Sequence, residues 1–291
     1  MQLLRDTLSI IKFPISFMSA FAALLGFLAA GSPPFTGAGV TALCVFALAA
    51  GACALNNVQD RALDALMPRT GARPLPAQRV RPHAVTALAV FLIAAGSCGL
   101  AYLSPAPISV LAGFAAVFLY NTLYTPLKRK TQLALIPGVA CGVMPFLIGW
   151  IATGSGIFAA RLWGLLTLFA VWQIPHFWLL LLAYREDYRA VKIRIVLDTI
   201  SESAMHRVLF LWAAGFAVVS LCALFYGGPR NGMLVLLVIL NALAVPPVFA
   251  ACLALRSDAR GYRFLFHYLN LTACVIIGAF IVDALMIAAN T

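Results

Sequence analysis

Stretches of about 20 residues with almost no charge recur along this chain, each long enough to cross a hydrocarbon core of ~30 Å as a helix. They lie near 13–31, 36–55, 83–103, 106–124, 133–153, 161–183, 207–226, 232–255 and 267–289. A chain that must hide so much apolar length has few folds open to it, because in lipid only helices and closed barrels satisfy their own backbone. Period-2 alternation is absent, so a barrel does not fit. The expected fold is all-α: a polytopic membrane protein with nine transmembrane helices in a single domain over 1–291. Composition agrees. Only 10% of residues are charged and mean hydropathy is +0.99, whereas a soluble domain devotes about a quarter of its residues to charge.

The basic residues orient these spans. Arg5 and Lys12 precede the first, five Arg follow the second, and Lys128, Arg129 and Lys130 follow the fourth. Arg185, Arg189, Lys192, Arg194 and Arg207 follow the sixth, and Arg256, Arg260 and Arg263 follow the eighth. Eighteen of the 20 Lys and Arg therefore fall on one side, leaving Arg161 and Arg230 on the other. By the positive-inside rule the amino terminus is cytoplasmic and the carboxyl terminus outside, as for a multi-pass protein of the cytoplasmic (inner) membrane. The same bias accounts for the +11 net charge without nucleic acid. "GFLAAGSPP" resembles a signal-peptidase site, but the preceding run is longer than a usual signal core, so a retained helix is expected. The seven Cys all lie in apolar stretches without a C-x-x-C pair and are expected to pack rather than to bind metal.

Eight of the nine carboxylates lie at or near the basic side; Asp283 falls inside the last span, where the sequence offers it no partner. Function is expected where two long polar links, 56–82 and 184–206, meet the helix ends. In "NNVQDRALDALMPRTGARPLP" the residues Asn56, Asp60 and Asp64 stand at i, i+4 and i+8. If the second helix continues this far, they project from one face about 6 Å apart per step. Oxygen donors of this kind suit Mg²⁺, which takes one or two carboxylates, waters and a substrate phosphate. The arginines that follow suit a multiply charged anion. The alternative is that Asp60 only pairs with Arg61 or Arg69 at the headgroup level.

A second polar cluster, "VWQIPHFWLLLLAYREDYRAVKIR", lies on the same side. Trp172, Gln173 and His176 sit inside an apolar run, where polar groups usually face the bundle interior. A continuous helix would place His176 and Asp187 on one face about 16 Å apart. A core histidine bonded to a neighbouring helix is the alternative. "YNTLYTPLKRK" adds Tyr124, Lys128 and Arg129. Together these residues describe a central apolar cavity open to the cytoplasmic side and an enzyme joining a lipid diphosphate to a hydrophobic acceptor.

These segments carry a family resemblance. "NNVQDRALDALMPRTGARPLP" resembles the first motif of the intramembrane prenyltransferase superfamily, N-x-x-x-D-x-x-x-D followed by R-T-x-x-R-P-L. "YNTLYTPLKRKT", "IPGVACGVMPFLIGW" and "WQIPHFWLLLLAYREDY" resemble segments of its heme O synthase branch. The resemblance spans nearly the whole chain. It implies Mg²⁺ held by Asn56, Asp60, Asp64 and Asp187, with Asp60, Asp64, Lys128 and Asp187 serving catalysis. It implies substrate contacts from Arg69, Arg73, Tyr124, Arg129, Trp172, Gln173, His176 and Arg185. The implied reaction transfers farnesyl from farnesyl diphosphate to a vinyl group of protoheme IX within the lipid bilayer. The oxidase that would take up the product is not specified. The sequence departs from the pattern at Ala62, where an extra acidic residue is common, and at Ala183, where quinone-type members begin D-x-x-x-D. "IKFPIS" lacks the K-P-R of the heme branch, and "KIRIVLD" replaces a run bearing "IPML". Two rival readings are a prenyltransferase with an aromatic-ring acceptor and a transporter; the second lacks paired broken helices.

Overall fold

The computed structural model describes residues 1–31, 35–104, 107–191 and 199–289, so "KIRIVLD" (192–198) lies outside the described residues, as do parts of the "GSPPF" and "LSPAP" links. Among the described residues every regular element is helical: α1 (Gln2–Ile10), α2 (Phe13–Ala29), α3 (Phe35–Asp64), α4 (Pro82–Leu103), α5 (Ile108–Phe118), α6 (Thr125–Leu127), α7 (Leu135–Ile151), α8 (Ala160–Ala183), α9 (Arg185–Ala190), α10 (Glu202–Ala223), α11 (Gly232–Leu255) and α12 (Ala259–Ala289). A π-helical turn, Leu119–Tyr124, joins α5 to α6. Among the described residues eight spans are long and apolar enough to cross a membrane, or nine if the pair α1–α2, bent by 55°, is counted as one span. Several helices outrun their apolar stretches. α3 continues to Asp64, and α12 begins at Ala259. The hydropathy of the side chains marks the lipid slab, whereas backbone hydrogen bonding carries the helix beyond it.

The region around Asp187 departs from the continuous helix expected. α8 ends at Ala183, Tyr184 leaves helical geometry at φ −124°, ψ 27°, and the separate short helix α9 carries Asp187. The break falls where a leucine run gives way to the charged residues Arg185, Glu186 and Asp187. A common helix face for His176 and Asp187 is therefore lost.

Contacts divide the chain into two compact units, residues 1–156 with 187–193, and 157–186 with 194–291. In the first, α3 lies along α4, and α2 packs on α3 and α7. The α2–α7 crossing brings backbone against backbone. A Cβ built on Gly149 would lie 2.0 Å from the Ala23 carbonyl oxygen, and one on Gly26 would lie 2.1 Å from that of Phe146. Small residues at such crossings let membrane helices gain dispersion energy where no hydrophobic effect acts between them. The α1–α2 joint is pinned to α3 by Asn57, whose amide donates to the Ile10 carbonyl at 2.6 Å. Arg79 ties the 65–81 link to α1 by two bonds to the buried Asp6, 3.2 and 2.9 Å. This joint holds Lys12 in the left-handed region at φ 46°.

In the second unit α8 and α11 each pack on α10 and α12. Here Asp283 finds its role. Its Oδ1 accepts the backbone N–H groups of Arg230 and Asn231, both at 2.8 Å, at the entrance to α11. The carboxylate meets the positive end of the helix dipole and fixes Asn231, whose own side chain caps the first turn through the Met233 and Leu234 N–H groups. Large apolar residues such as Phe91, Leu111, Leu211 and Leu236 remain exposed, as lipid-facing positions require.

Candidate active site

The end of α3 is the floor of a charged cluster in the first unit. Asn56, Asp60 and Asp64 share one face, and all three are buried, Asn56 at 0% and Asp60 at 5% exposure. A buried carboxylate must be compensated, and the chain does so from elsewhere in sequence. Asp60 Oδ2 receives the Lys128 ammonium, and Oδ1 receives Arg129 at 2.7 Å. Asp64 pairs with Arg73 at 3.0 Å, and Asp187 with Arg69 at 3.6 Å. Neither Arg61 nor Arg69 is the partner of Asp60, as the headgroup alternative required; Arg61 bonds the Val58 carbonyl instead. Asn56 donates to Asp60 Oδ2 at 2.9 Å and to the Thr125 hydroxyl at 2.8 Å, while its own oxygen accepts Lys12.

The π turn explains how the second strand of chemistry reaches α3. An extra residue in the turn lets Asn121 bond the Ala52 carbonyl and Gln59, each at 3.0 Å. Such bulges often mark functional positions within membrane helices and elsewhere. Downstream of it, Thr125, Lys128 and Arg129 line up on Asn56, Gln59 and Asp60. Tyr124 stacks on Tyr120 with ring centroids 5.7 Å apart, and the Lys128 ammonium lies 5.5 Å from the Tyr124 ring. On α9, burial pushes the Tyr188 phenol up from its ordinary pKa.

Lys12, Arg69, Arg73, Lys128 and Arg129 thus bind Asn56 and three carboxylates, leaving a surplus of two positive charges. Such a surplus attracts an anion. The donor set also fits Mg²⁺ in kind, since Asn56, Asp60, Asp64 and Asp187 offer only oxygen. Among the described residues no three His, Cys, Asp or Glu gather closely enough to cage a metal. A Mg²⁺ that takes much of its shell from water and phosphate needs no such cage. Each oxygen donor is instead held by a side-chain cation that an incoming phosphate could engage.

The other expected residues lie in the second unit. His176 Nδ1 is 2.7 Å from Asn270 Oδ1. Its ring is 4.9 Å from that of Trp172 and 4.7 Å from that of Phe266. Gln173 is buried and donates to the Phe169 carbonyl one turn back, at 3.1 Å. Arg185 pairs with Glu186 at 3.4 Å and approaches Glu202 at 3.9 Å.

Residues 16–271 match the UbiA prenyltransferase family, most of the chain. The chain belongs to that family. A protoheme IX farnesyltransferase of Nitratidesulfovibrio vulgaris (strain DP4) is 33% identical over 284 residues, 98% of this chain and 96% of that protein. One of Geobacter sulfurreducens is 37% identical over 185 residues, 63% of this chain and 68% of that protein. Among solved structures, a digeranylgeranylglyceryl phosphate synthase shares the fold at TM-score 0.74 and 12% identity, covering 98% of this chain and 99% of that one. An apo UbiA homolog from Aeropyrum pernix K1 does so at TM-score 0.72 and 19% identity, covering 92% and 96%. A UbiA homolog from Archaeoglobus fulgidus bound to GPP and Mg²⁺ does so at TM-score 0.67 and 14% identity, covering 93% and 99%.

Within this family member, four residues join the polar clusters that the sequence did not single out: Lys12, Thr125, Tyr188 and Asn270. Lys12 carried a faint signal, a lone charge at the mouth of an apolar run. Thr125, Tyr188 and Asn270 look like ordinary helix residues until their neighbours from other helices are known.

Proposed function

We propose that this chain is a protoheme IX farnesyltransferase, moving the farnesyl group of farnesyl diphosphate onto a vinyl group of protoheme IX and releasing diphosphate and heme O. The observation that carries the donor half is the convergence of five cations on Asn56, Asp60, Asp64 and Asp187. The acceptor half is supported by the likeness to protoheme IX farnesyltransferases over nearly the full chain and by the imidazole and indole of the second unit.

Asn56, Asp60, Asp64 and Asp187 would hold Mg²⁺, which stabilises charge growing on the leaving diphosphate. Lys128, Arg129, Arg69 and Arg73 exchange their carboxylate partners for phosphate oxygens, the Arg residues through paired donors. Their charge counts most as the allylic C–O bond breaks, when the diphosphate becomes more anionic. Aromatic faces such as Tyr124 stabilise the allylic cation. That carbon bonds the terminal vinyl carbon, water adds to the inner one, and a proton leaves, giving the hydroxyethylfarnesyl group. Trp172, Gln173 and His176 position the porphyrin, and Arg185 adds charge beyond the end of α8. Our reading puts the reaction on the cytoplasmic side of the inner membrane, the side to which the basic residues assign the donor cluster.

The test is turnover by the purified protein given farnesyl diphosphate and Mg²⁺ with either heme or 4-hydroxybenzoate. Formation of heme O supports the proposal. Prenylation of 4-hydroxybenzoate with heme untouched would move the chain to the aromatic-acceptor branch.

A further inference from the structure

We propose that Arg161 and Arg230 form a binding site for the headgroup of an anionic phospholipid, at the end of the second unit where α8 begins and the link from α10 enters α11. The site lies apart from the farnesyl transfer and does not depend on it.

These are the two basic residues that break the charge bias, the other 18 falling on the opposite side of the spans. Cations on the disfavoured side need a reason, and pairing does not supply it. Among the described residues neither guanidinium is ion-paired with a carboxylate, unlike those of Arg69, Arg73, Arg79 and Arg129. Arg230 and Asp283 both lie within electrostatic reach of Arg161. The Oδ1 of Asp283 is committed to the backbone N–H groups of Arg230 and Asn231. One carboxylate against two guanidinium groups leaves a net positive charge.

The pair is held in place. Arg161 Nη2 donates to the Gly227 carbonyl at 3.0 Å, which fixes the guanidinium against the α10–α11 link. Gly227 stands at φ 99°, and a Cβ there would lie 2.3 Å from Arg161 Nε, so glycine makes room for the guanidinium. Arg161 Nε is buried with no hydrogen-bond partner. A half-buried guanidinium whose one acceptor is a neutral carbonyl is short of compensation, and an anion over its exposed part supplies it. Arg230, three positions beyond Gly227, is exposed, and its side chain has no hydrogen bond among the described residues.

The surroundings select an amphiphile over a free anion. Phe158 and Trp163 at the start of α8, and Phe225 and Tyr226 on the link, are all exposed. The two segments form one surface: a Cβ on Gly164 would lie 2.8 Å from the Tyr226 ring. Trp and Tyr favour the depth of the headgroups. A lipid phosphate engages the guanidinium groups through paired donors, while its acyl chains cover the aromatic side chains that a soluble phosphate would leave bare.

The experiment titrates phosphatidylglycerol, or phosphatidylcholine with the same acyl chains, into the full-length protein in detergent and counts bound lipid by native mass spectrometry. The parent should bind phosphatidylglycerol more tightly. Arg161→Gln and Arg230→Gln should each lower that affinity roughly fivefold and leave phosphatidylcholine unchanged. Arg230→Lys, which keeps the charge, should lose less. Arg260→Gln, an exposed arginine at the start of α12, should match the parent and so exclude a diffuse charge effect. Phosphatidylglycerol should also raise the unfolding temperature of the parent more than that of Arg230→Gln. Arg161→Gln loses the bond to Gly227, and should it fail to fold, Arg230→Gln decides, because its side chain holds nothing in place. Equal affinity of the parent for the two lipids, or parental phosphatidylglycerol affinity in Arg230→Gln, overturns the proposal. Displacement of the lipid by millimolar inorganic phosphate would make this a free-anion site and overturn the lipid assignment.

Discussion

Asn56 donates to the carboxylate of Asp60, one helical turn further along α3, at 2.9 Å, and both side chains are buried. The amide thereby holds Asp60 in one rotamer while leaving its own oxygen for Lys12. A metal or phosphate arriving here meets oriented oxygens rather than free side chains, which is how preorganised sites avoid reorganisation cost.

Asp60→Asn and Asp64→Asn should each lower turnover a hundredfold or more, about 2.7 kcal/mol of transition-state stabilisation. Both should remain folded in membranes, because an amide keeps the shape and one acceptor oxygen, enough for Arg73 at Asp64 and for one of Lys128 and Arg129 at Asp60. Removing Mg²⁺ with a chelator should abolish turnover in the parent, and restoring it should recover the rate. The check is heme O formation against Mg²⁺ concentration. Near-parental rates in both variants would remove these carboxylates from the chemistry.

Lys12→Met should raise the KM for farnesyl diphosphate about tenfold, or ~1.4 kcal/mol. Its ammonium binds Asn56 and lies 3.4 Å from the Tyr120 hydroxyl, within the donor cluster. Steady-state kinetics on the folded variant decide the point. A residue that served only the α1–α2 joint would change stability and leave KM alone.

Asp283→Leu should cost stability rather than chemistry. Its carboxylate accepts two backbone N–H groups just before α11, and a hydrogen bond to a charged group is worth about 1.5–3 kcal/mol. Asp283→Asn, which keeps the acceptor oxygen, should lose less. Thermal unfolding in detergent measures both, with turnover per folded molecule expected to stay within twofold of the parent, on the order expected for a remote site.

Gly149→Ala should destabilise the first unit by about 1–3 kcal/mol. The added methyl would meet the Ala23 carbonyl at 2.0 Å. A backbone atom cannot rotate away as a side chain can, so trimming neighbouring side chains should not rescue it. Yield and unfolding temperature in detergent are the measurements, and a parental melting curve would show that α2 and α7 part at little cost.

Hydropathy and charge by themselves determined that this chain is a helical membrane protein, since lipid leaves long apolar runs almost no alternative and local periodicity is written in adjacent residues. The same holds for Asn56, Asp60 and Asp64, whose common face follows from helix geometry once α3 is known to continue. Tertiary structure decided the rest. The cations on Asp60 proved to be Lys128 and Arg129, nearly 70 positions away, rather than its neighbours Arg61 and Arg69. Asp283 found its partners at the start of another helix, and His176 its oxygen on α12. The break between α8 and α9 was likewise hidden, because Tyr184 is not a helix breaker in isolation. Pairing between distant residues depends on which helices pack together, and a single sequence records each member of such a pair without the other.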